Sequence, residues 1–129
     1  MKLIVFSKML KELGINELIQ FANELGIDGY DMAVRPGYPV NPDNVEQALP
    51  EVVQQFRAEG LDIPMITADT GVLFPDSEGE RLIASMSRAD VRRLKLGYFK
   101  FVPGEMDYWE EVDKARVALE GWSKLSEKY

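Results

Sequence analysis

Polar side chains recur at the ends of four strand-like runs, and they are the residues of this sequence best suited to chemistry. The runs begin near Lys2, Gly29, Leu61 and Val91 and read KLIVF, GYDMAV, LDIPMI and VRRLKLG. In parallel α/β folds, ligands bind at the carboxyl ends of the strands. The polar residues at those ends are Ser7 and Lys8, Asp31 and Arg35, Thr67 and Asp69, and Lys95, Tyr98 and Lys100.

Two of these residues, Asp31 and Lys95, are expected to meet. In GYDMAV the apolar residues alternate with Asp31, and in VRRLKLG the leucines alternate with Lys95. Both charges therefore point away from the helices, and alternate strands of a barrel contribute to the same interior layer. The pair is either a structural ion pair or a site where Lys95, held by Asp31, contacts an anionic or hydroxylated substrate.

The second run ends in a rigid loop, RPGYP, whose first residue is Arg35. An arginine is suited to bidentate binding of a carboxylate or phosphate, although a loop arginine is more often a solvated surface charge. Tyr38 and Phe99 either line a pocket or pack within their loops. The predicted substrate-binding residues are Asp31, Arg35, Tyr38, Thr67, Lys95 and Tyr98, and no catalytic residue is assigned.

The composition excludes several kinds of site and partner. The chain of 129 residues has no cysteine and no histidine, so it offers neither a thiolate nor an imidazole ligand. Its other acids fall on the polar faces of helices and form no metal-ligand cluster. A net charge of −7 argues against a nucleic-acid partner. The apolar start is too short for a signal peptide or a membrane span, so a soluble, cytoplasmic protein is expected.

Helical patterns separate the runs. Apolar spacing predicts a first helix over residues 16–25 with Gly26 as its stop, and a second that begins with Asn41 as N-cap and Pro42 as its first residue. Pro50 lies inside the second helix, where we expect a kink or two abutting helices.

The last two helices are predicted in the same way. A weaker third helix covers about residues 77–87. A long fourth helix starts at a capping pair, Asp107 with Glu110. Its predicted buried face consists of Val112, Ala115, Leu119 and Trp122.

This alternation predicts one α/β domain, residues 1–129, built from four consecutive βα units. Two architectures fit: an open doubly wound sheet that binds a small anionic ligand, or part of a (βα)8 TIM barrel. The open sheet predicts that the first strand is internal. The residues after that strand, SKMLKELG, form neither a phosphate loop nor an acidic cluster, which favours the barrel.

The segment YDMAVRPGYPVNPDNVEQALPEVVQQFRAEGLDIPMIT, with LKLGYFKFVPG later, resembles the xylose isomerase-like TIM-barrel superfamily, and within it the sugar phosphate isomerases/epimerases. The turn at residues 34–37, the helix around 45–50 and the strand at 64–67 match together and in order. Where family members often carry Gly-His after that turn, this chain has Tyr38 and Pro39. The turn would then wall the substrate pocket at the mouth of the barrel.

The resemblance implies the amino-terminal half of a (βα)8 barrel. The family uses a divalent metal (Mg, Mn or Zn) to move a proton or hydride between neighbouring carbons of a sugar-like substrate. Its glutamate, aspartate and histidine ligands come from later strands, so this chain would supply pocket residues but no metal ligand and would be inactive alone. Its partner would be the missing carboxyl-terminal half. The alternative is a stand-alone half-barrel binding module that pairs with a second copy or a second half.

Overall fold

Four short strands alternate with four helices in the computed structural model of the chain, which describes residues 1–129. The strands are β1 (Ile4–Phe6), β2 (Gly29–Val34), β3 (Asp62–Ala68) and β4 (Leu94–Lys95). The helices are α1 (Ile15–Leu25), α2 (Val45–Ala58), α3 (Ser77–Arg88) and α4 (Tyr108–Lys128), and a 3-10 turn, Ser7–Leu10, follows β1. None of these helices combines the length and the apolar character needed to cross a membrane.

The strands form one sheet in the order β1-β2-β3-β4, and every neighbouring pair is parallel. The predicted α/β class with alternating βα units is therefore confirmed. Because β1 lies at an edge, the internal first strand expected of a doubly wound sheet is wrong for this chain. The carboxyl ends of all four strands lie at one end of the sheet.

One face of the sheet carries the hydrophobic core. Tyr30 and Met32 of β2 and Ile66 of β3 are almost fully buried there against the first three helices. The Tyr30 hydroxyl donates to the Leu18 carbonyl of α1, and its ring meets that of Phe56 in α2 edge to face at 5.8 Å. Residues with the opposite alternation lie outside this core, on what we call the open face. They include Ile4, Phe6, Asp31, Ala33, Met65, Thr67 and Lys95.

The ends of α1 and α2 test the sequence predictions directly. Helix α1 ends at Gly26, whose φ of 65° is the left-handed cap expected of glycine, so that prediction is confirmed. The predicted N-cap at Asn41 is wrong, because α2 begins only at Val45. The Asn41 side chain instead accepts hydrogen bonds from the Asp43 and Asn44 amides, which closes a turn ahead of the helix.

Helix α2 continues through Pro50 as one helix, so the expected alternative of two abutting helices is wrong. Proline has no amide hydrogen, and the Glu46 carbonyl one turn earlier therefore lacks its helical donor. Arg88 of α3 replaces that donor, since its Nη2 lies 2.9 Å from the Glu46 oxygen.

Fewer apolar residues of helix α4 are buried than its sequence pattern predicts. Asp107 is its N-cap, as predicted, and accepts from the amides of Trp109 and Glu110, but the Glu110 side chain does not return a bond to the Asp107 amide as a capping pair would. Its buried residues are Ala118 and Trp122. Leu119 was predicted to be buried but is 56% exposed, because the helix meets α3 along a narrower strip than its apolar pattern indicates.

Candidate functional site

Asp31 and Thr67 form the polar centre of the open face. Thr67 lies at the end of β3 and is 2% exposed, and its hydroxyl lies 2.8 and 2.9 Å from the two Asp31 oxygens. Burial raises the pKa of Asp31 above its ordinary value, while the Thr67 hydrogen bond and the charges of Lys95 and Arg35 limit that rise. The carboxylate is thus oriented from one side and faces two cations.

Those two cations share an aromatic neighbour, Phe6 of β1. The Arg35 guanidinium carbon lies 5.6 Å from the centre of the Phe6 ring, and the Lys95 ammonium lies 5.7 Å from it. Both distances are within the range of cation–π attraction. The Phe6 ring therefore holds two positive groups near each other at the carboxyl ends of three different strands.

Neither cation forms a direct ion pair with a protein carboxylate. The ion pairs of the structure all lie elsewhere, and none includes Arg35, Lys95 or Asp31. Arg35 uses its Nε to donate to the Ala68 carbonyl at 3.3 Å, which leaves its terminal nitrogens without a protein acceptor. Asp31 and Lys95 therefore do not form the direct structural ion pair that was one of the two interpretations. Their charges are nevertheless close enough for Lys95 to affect the pKa of Asp31.

The other predicted residues divide between this site and its surroundings. Tyr98 joins the site, because Lys95 Nζ lies 5.7 Å from its ring, which is 58% exposed. Tyr38 does not, since its hydroxyl donates to the Lys8 carbonyl and holds the loop after β2 against the 3-10 turn. Ser7 is structural: it is buried, and its Oγ accepts the Ala33 amide at 2.9 Å.

Phe6 was missed by the sequence argument. Alternation in KLIVF places Phe6 opposite Val5 and therefore on the open face. That signal was available, but an apolar residue in a strand is normally assigned to the core. Only the register of β1 against β2 shows that its ring lies beside the arginine that follows β2.

The site does not offer a set of metal ligands. No three acidic, histidine or cysteine side chains of the chain lie close enough together to hold a metal ion. Asp31 is a single carboxylate whose neighbours are a hydroxyl and two cations, and those cations would repel a divalent ion. The arrangement is instead suited to binding anionic or hydroxyl oxygens.

Comparison of the chain with family models, with curated proteins and with solved structures finds no match in any of the three.

Proposed function

We propose that the chain forms the substrate-pocket half of a metal-dependent enzyme like the sugar phosphate isomerases/epimerases, acting on a sugar or sugar-like substrate. In this proposal the sheet is the first four strands of a (βα)8 barrel, and the open face lines its interior. The observation that carries the proposal is the meeting of Asp31, Thr67, Arg35 and Lys95 around Phe6 at the carboxyl ends of the strands.

The sheet supports this interpretation in two respects. The strand order follows the chain order, as it does in a (βα)8 barrel, and all pairs are parallel. The core lies on one face only, whereas the sheet of a doubly wound fold is covered on both faces.

Each side chain has a defined part in binding. The two cations attract an anionic group of the substrate, and the Phe6 ring that both contact gives them an apolar surface. Asp31 accepts a hydrogen bond from a substrate hydroxyl, and Thr67 fixes the orientation of its carboxylate. The metal of the family would need ligands from outside these residues.

The test is a titration of the isotope-labelled chain with a hexose phosphate and with the matching unphosphorylated hexose. We expect amide shifts in NMR spectra at the ends of the strands, with tighter binding of the phosphorylated sugar. Loss of a charged hydrogen-bond donor typically costs more than 1.4 kcal/mol, so Arg35→Gln should weaken binding about tenfold or more. Arg92→Gln, at an exposed arginine paired only with Asp90, is the matched control.

Two results would contradict the proposal. One is that neither sugar shifts the strand-end amides, and the other is that Arg92→Gln weakens binding as much as Arg35→Gln. Isomerase turnover by the purified chain with Mg²⁺ or Mn²⁺ would overturn the narrower claim that the chain is inactive alone, because the site has no cluster of metal ligands.

A binding or interaction module is the second candidate function. It is favoured by exposed apolar surface at the β4 side of the molecule, where Leu119 of α4 is 56% exposed. A stand-alone module with such a surface is expected to associate with a protein partner.

A further inference from the structure

We propose that two copies of this chain pair edge to edge and close an eight-stranded parallel barrel. Phe6, Asp31 and Lys95 of both copies then face the enclosed interior, so each site is completed by the other copy. The inference rests on the half-barrel interpretation of the sheet given above, and it does not depend on the identity of the ligand.

Both outer strands of the sheet have a free edge. Strand β1 pairs only with β2, and β4 pairs only with β3. Because all strands run the same way, a two-fold axis parallel to them places β4 of one copy against β1 of the other, and does so twice. Eight strands make a barrel whose interior is filled by side chains, and such a two-fold contact is self-complementary.

The helix side of the β4 edge is shaped to receive apolar side chains. A groove of about 610 Å³ runs between α3, β4 and α4, and its apolar lining includes Leu94, Leu96, Leu119 and Trp122. A strand added to β4 would project every second side chain toward this groove. In β1 and the residue before it, those side chains are Val5 and Leu3, and Leu3 is 59% exposed.

Closure would bring opposite charges of the two open faces, Asp31 and Lys95, into one interior layer. Alternate strands of a barrel supply one interior layer of four side chains. Strands β2 and β4 of two copies would supply two Asp31 carboxylates and two Lys95 ammonium groups to one layer, and the two Arg35 side chains near them would leave the enclosed set positive. Ile4, Phe6 and Met65, which are only partly buried in one copy, would be covered by the same closure.

The test is the mass of the chain in solution, measured by sedimentation equilibrium over a range of concentrations. We expect a species of twice the 14.6 kDa chain mass. Leu3→Asp places a carboxylate in the joint and should raise the dimer dissociation constant about a hundredfold or more. Leu119→Asp, on the groove side of α4, should do the same and serves if Leu3→Asp fails to fold.

Val117→Asp is the matched control, because Val117 is 66% exposed on the face of α4 turned away from the groove. It should leave the dissociation constant unchanged, with all variants checked for folding by circular dichroism. A folded chain that stays monomeric at every concentration would overturn the inference, and so would a dimer weakened by Val117→Asp but not by the two groove variants. A monomer that binds the hexose phosphate would overturn the dimer alone, whereas a dimer that binds neither sugar would overturn the proposed function alone.

Discussion

Asp31 and Asp62 respond to pH in opposite directions. Burial raises the pKa of Asp31 in the folded protein, so its ionised form is disfavoured by folding. Its contribution to the free energy of unfolding is therefore present at acid pH and is lost as the pH rises through the folded pKa. Burial alone would also raise the pKa of Asp62, but Lys2, the Ile63 amide and Arg57 together lower it. The Asp62 contribution is present above the ordinary pKa and is lost on acidification.

The Thr67 hydroxyl is expected to control the ionisation of Asp31. Thr67→Val removes the hydrogen bond to the carboxylate, so the pKa of Asp31 should rise further. At neutral pH the free energy of unfolding should fall by about 1 kcal/mol, and the loss should shrink at acid pH, where Asp31 is protonated in both states. Carboxyl NMR titration and urea unfolding at the two pH values measure these effects.

Thr70→Val is the control, because Thr70 is exposed and makes no side-chain hydrogen bond. An unchanged Asp31 pKa in Thr67→Val, or an equal loss of stability at both pH values, would mean that Thr67 matters only for packing.

Single residues at the site were predictable where their chemistry is visible in the sequence. Asp31, Thr67, Arg35 and Lys95 were singled out as polar residues on or just after the strands, and alternation correctly assigned Asp31 and Lys95 to one side of the sheet. Alternation also places Phe6 on this side, but its type gives no sign of a site, because its part there arises from two cations that belong to other strands. The position of the Phe6 ring relative to these charges depends on the register of β1 against β2, which the sequence of β1 alone does not predict.

At the scale of the elements, a side-chain hydrogen bond between α3 and α2 replaces a backbone hydrogen bond that α2 lacks at Pro50. Pro50 leaves the Glu46 carbonyl without its helical donor, and the Arg88 side chain supplies one at 2.9 Å. The same guanidinium nitrogen lies 3.2 Å from the Ser85 hydroxyl, which holds it in place. The carbonyl left free by Pro50 in α2 thereby becomes the acceptor of a hydrogen bond from α3.

Arg88→Ala should therefore lower the free energy of unfolding by about 1 kcal/mol. In a Pro50→Ala background the helix regains its own donor to Glu46, so Arg88→Ala should cost much less there. Urea unfolding of the four proteins in this double-mutant cycle gives the coupling directly. Arg92→Ala, at an arginine without a contact to α2, should show no coupling to Pro50, and equal costs of Arg88→Ala in both backgrounds would contradict the argument.

Elements were predictable where local signals agree and less so where the tertiary structure decides. Helix α1 was placed correctly from its apolar spacing and from Gly26. The predicted fourth strand began at Val91, yet β4 pairs over only two residues. The chain leaves the sheet because the Gly97 amide donates to the Val72 carbonyl, in the loop that follows β3. The residue spacing within VRRLKLG cannot predict this contact, because its partner, Val72, lies in another part of the chain.

At the scale of the whole molecule, an aromatic ring of α4, that of Trp122, is one of its main contacts with the rest of the chain. Trp122 lies against Gly79 in the first turn of α3, and its Nε1 donates to the Leu73 carbonyl at 2.9 Å. The ion pair of Lys128 with Glu80 adds a second contact near the end of the helix. The docking of α4 therefore depends on the absence of a side chain at Gly79.

Gly79→Ala should destabilise the protein by about 1 to 3 kcal/mol, although alanine normally favours a helix over glycine. A Cβ at Gly79 would lie 2.6 Å from Cη2 of Trp122 and 3.3 Å from the Phe74 oxygen. Thermal unfolding and the tryptophan emission spectrum measure the loss and the displacement of the ring. Gly71→Ala, at an exposed glycine with open space around it, is the control, and a gain in stability for Gly79→Ala would contradict this account of the docking.

The order of the strands also bears on how the chain acquires its structure during synthesis. Each strand lies beside the one translated just before it, so its pairing partner is already present when it leaves the ribosome. No strand within the chain needs a partner that is translated much later. Each new strand pair closes a loop of only one strand–helix unit, so the entropic cost of each step is small. A nascent chain of this order can extend its sheet one unit at a time, and throughout synthesis the growing edge is the surface on which a chaperone would act.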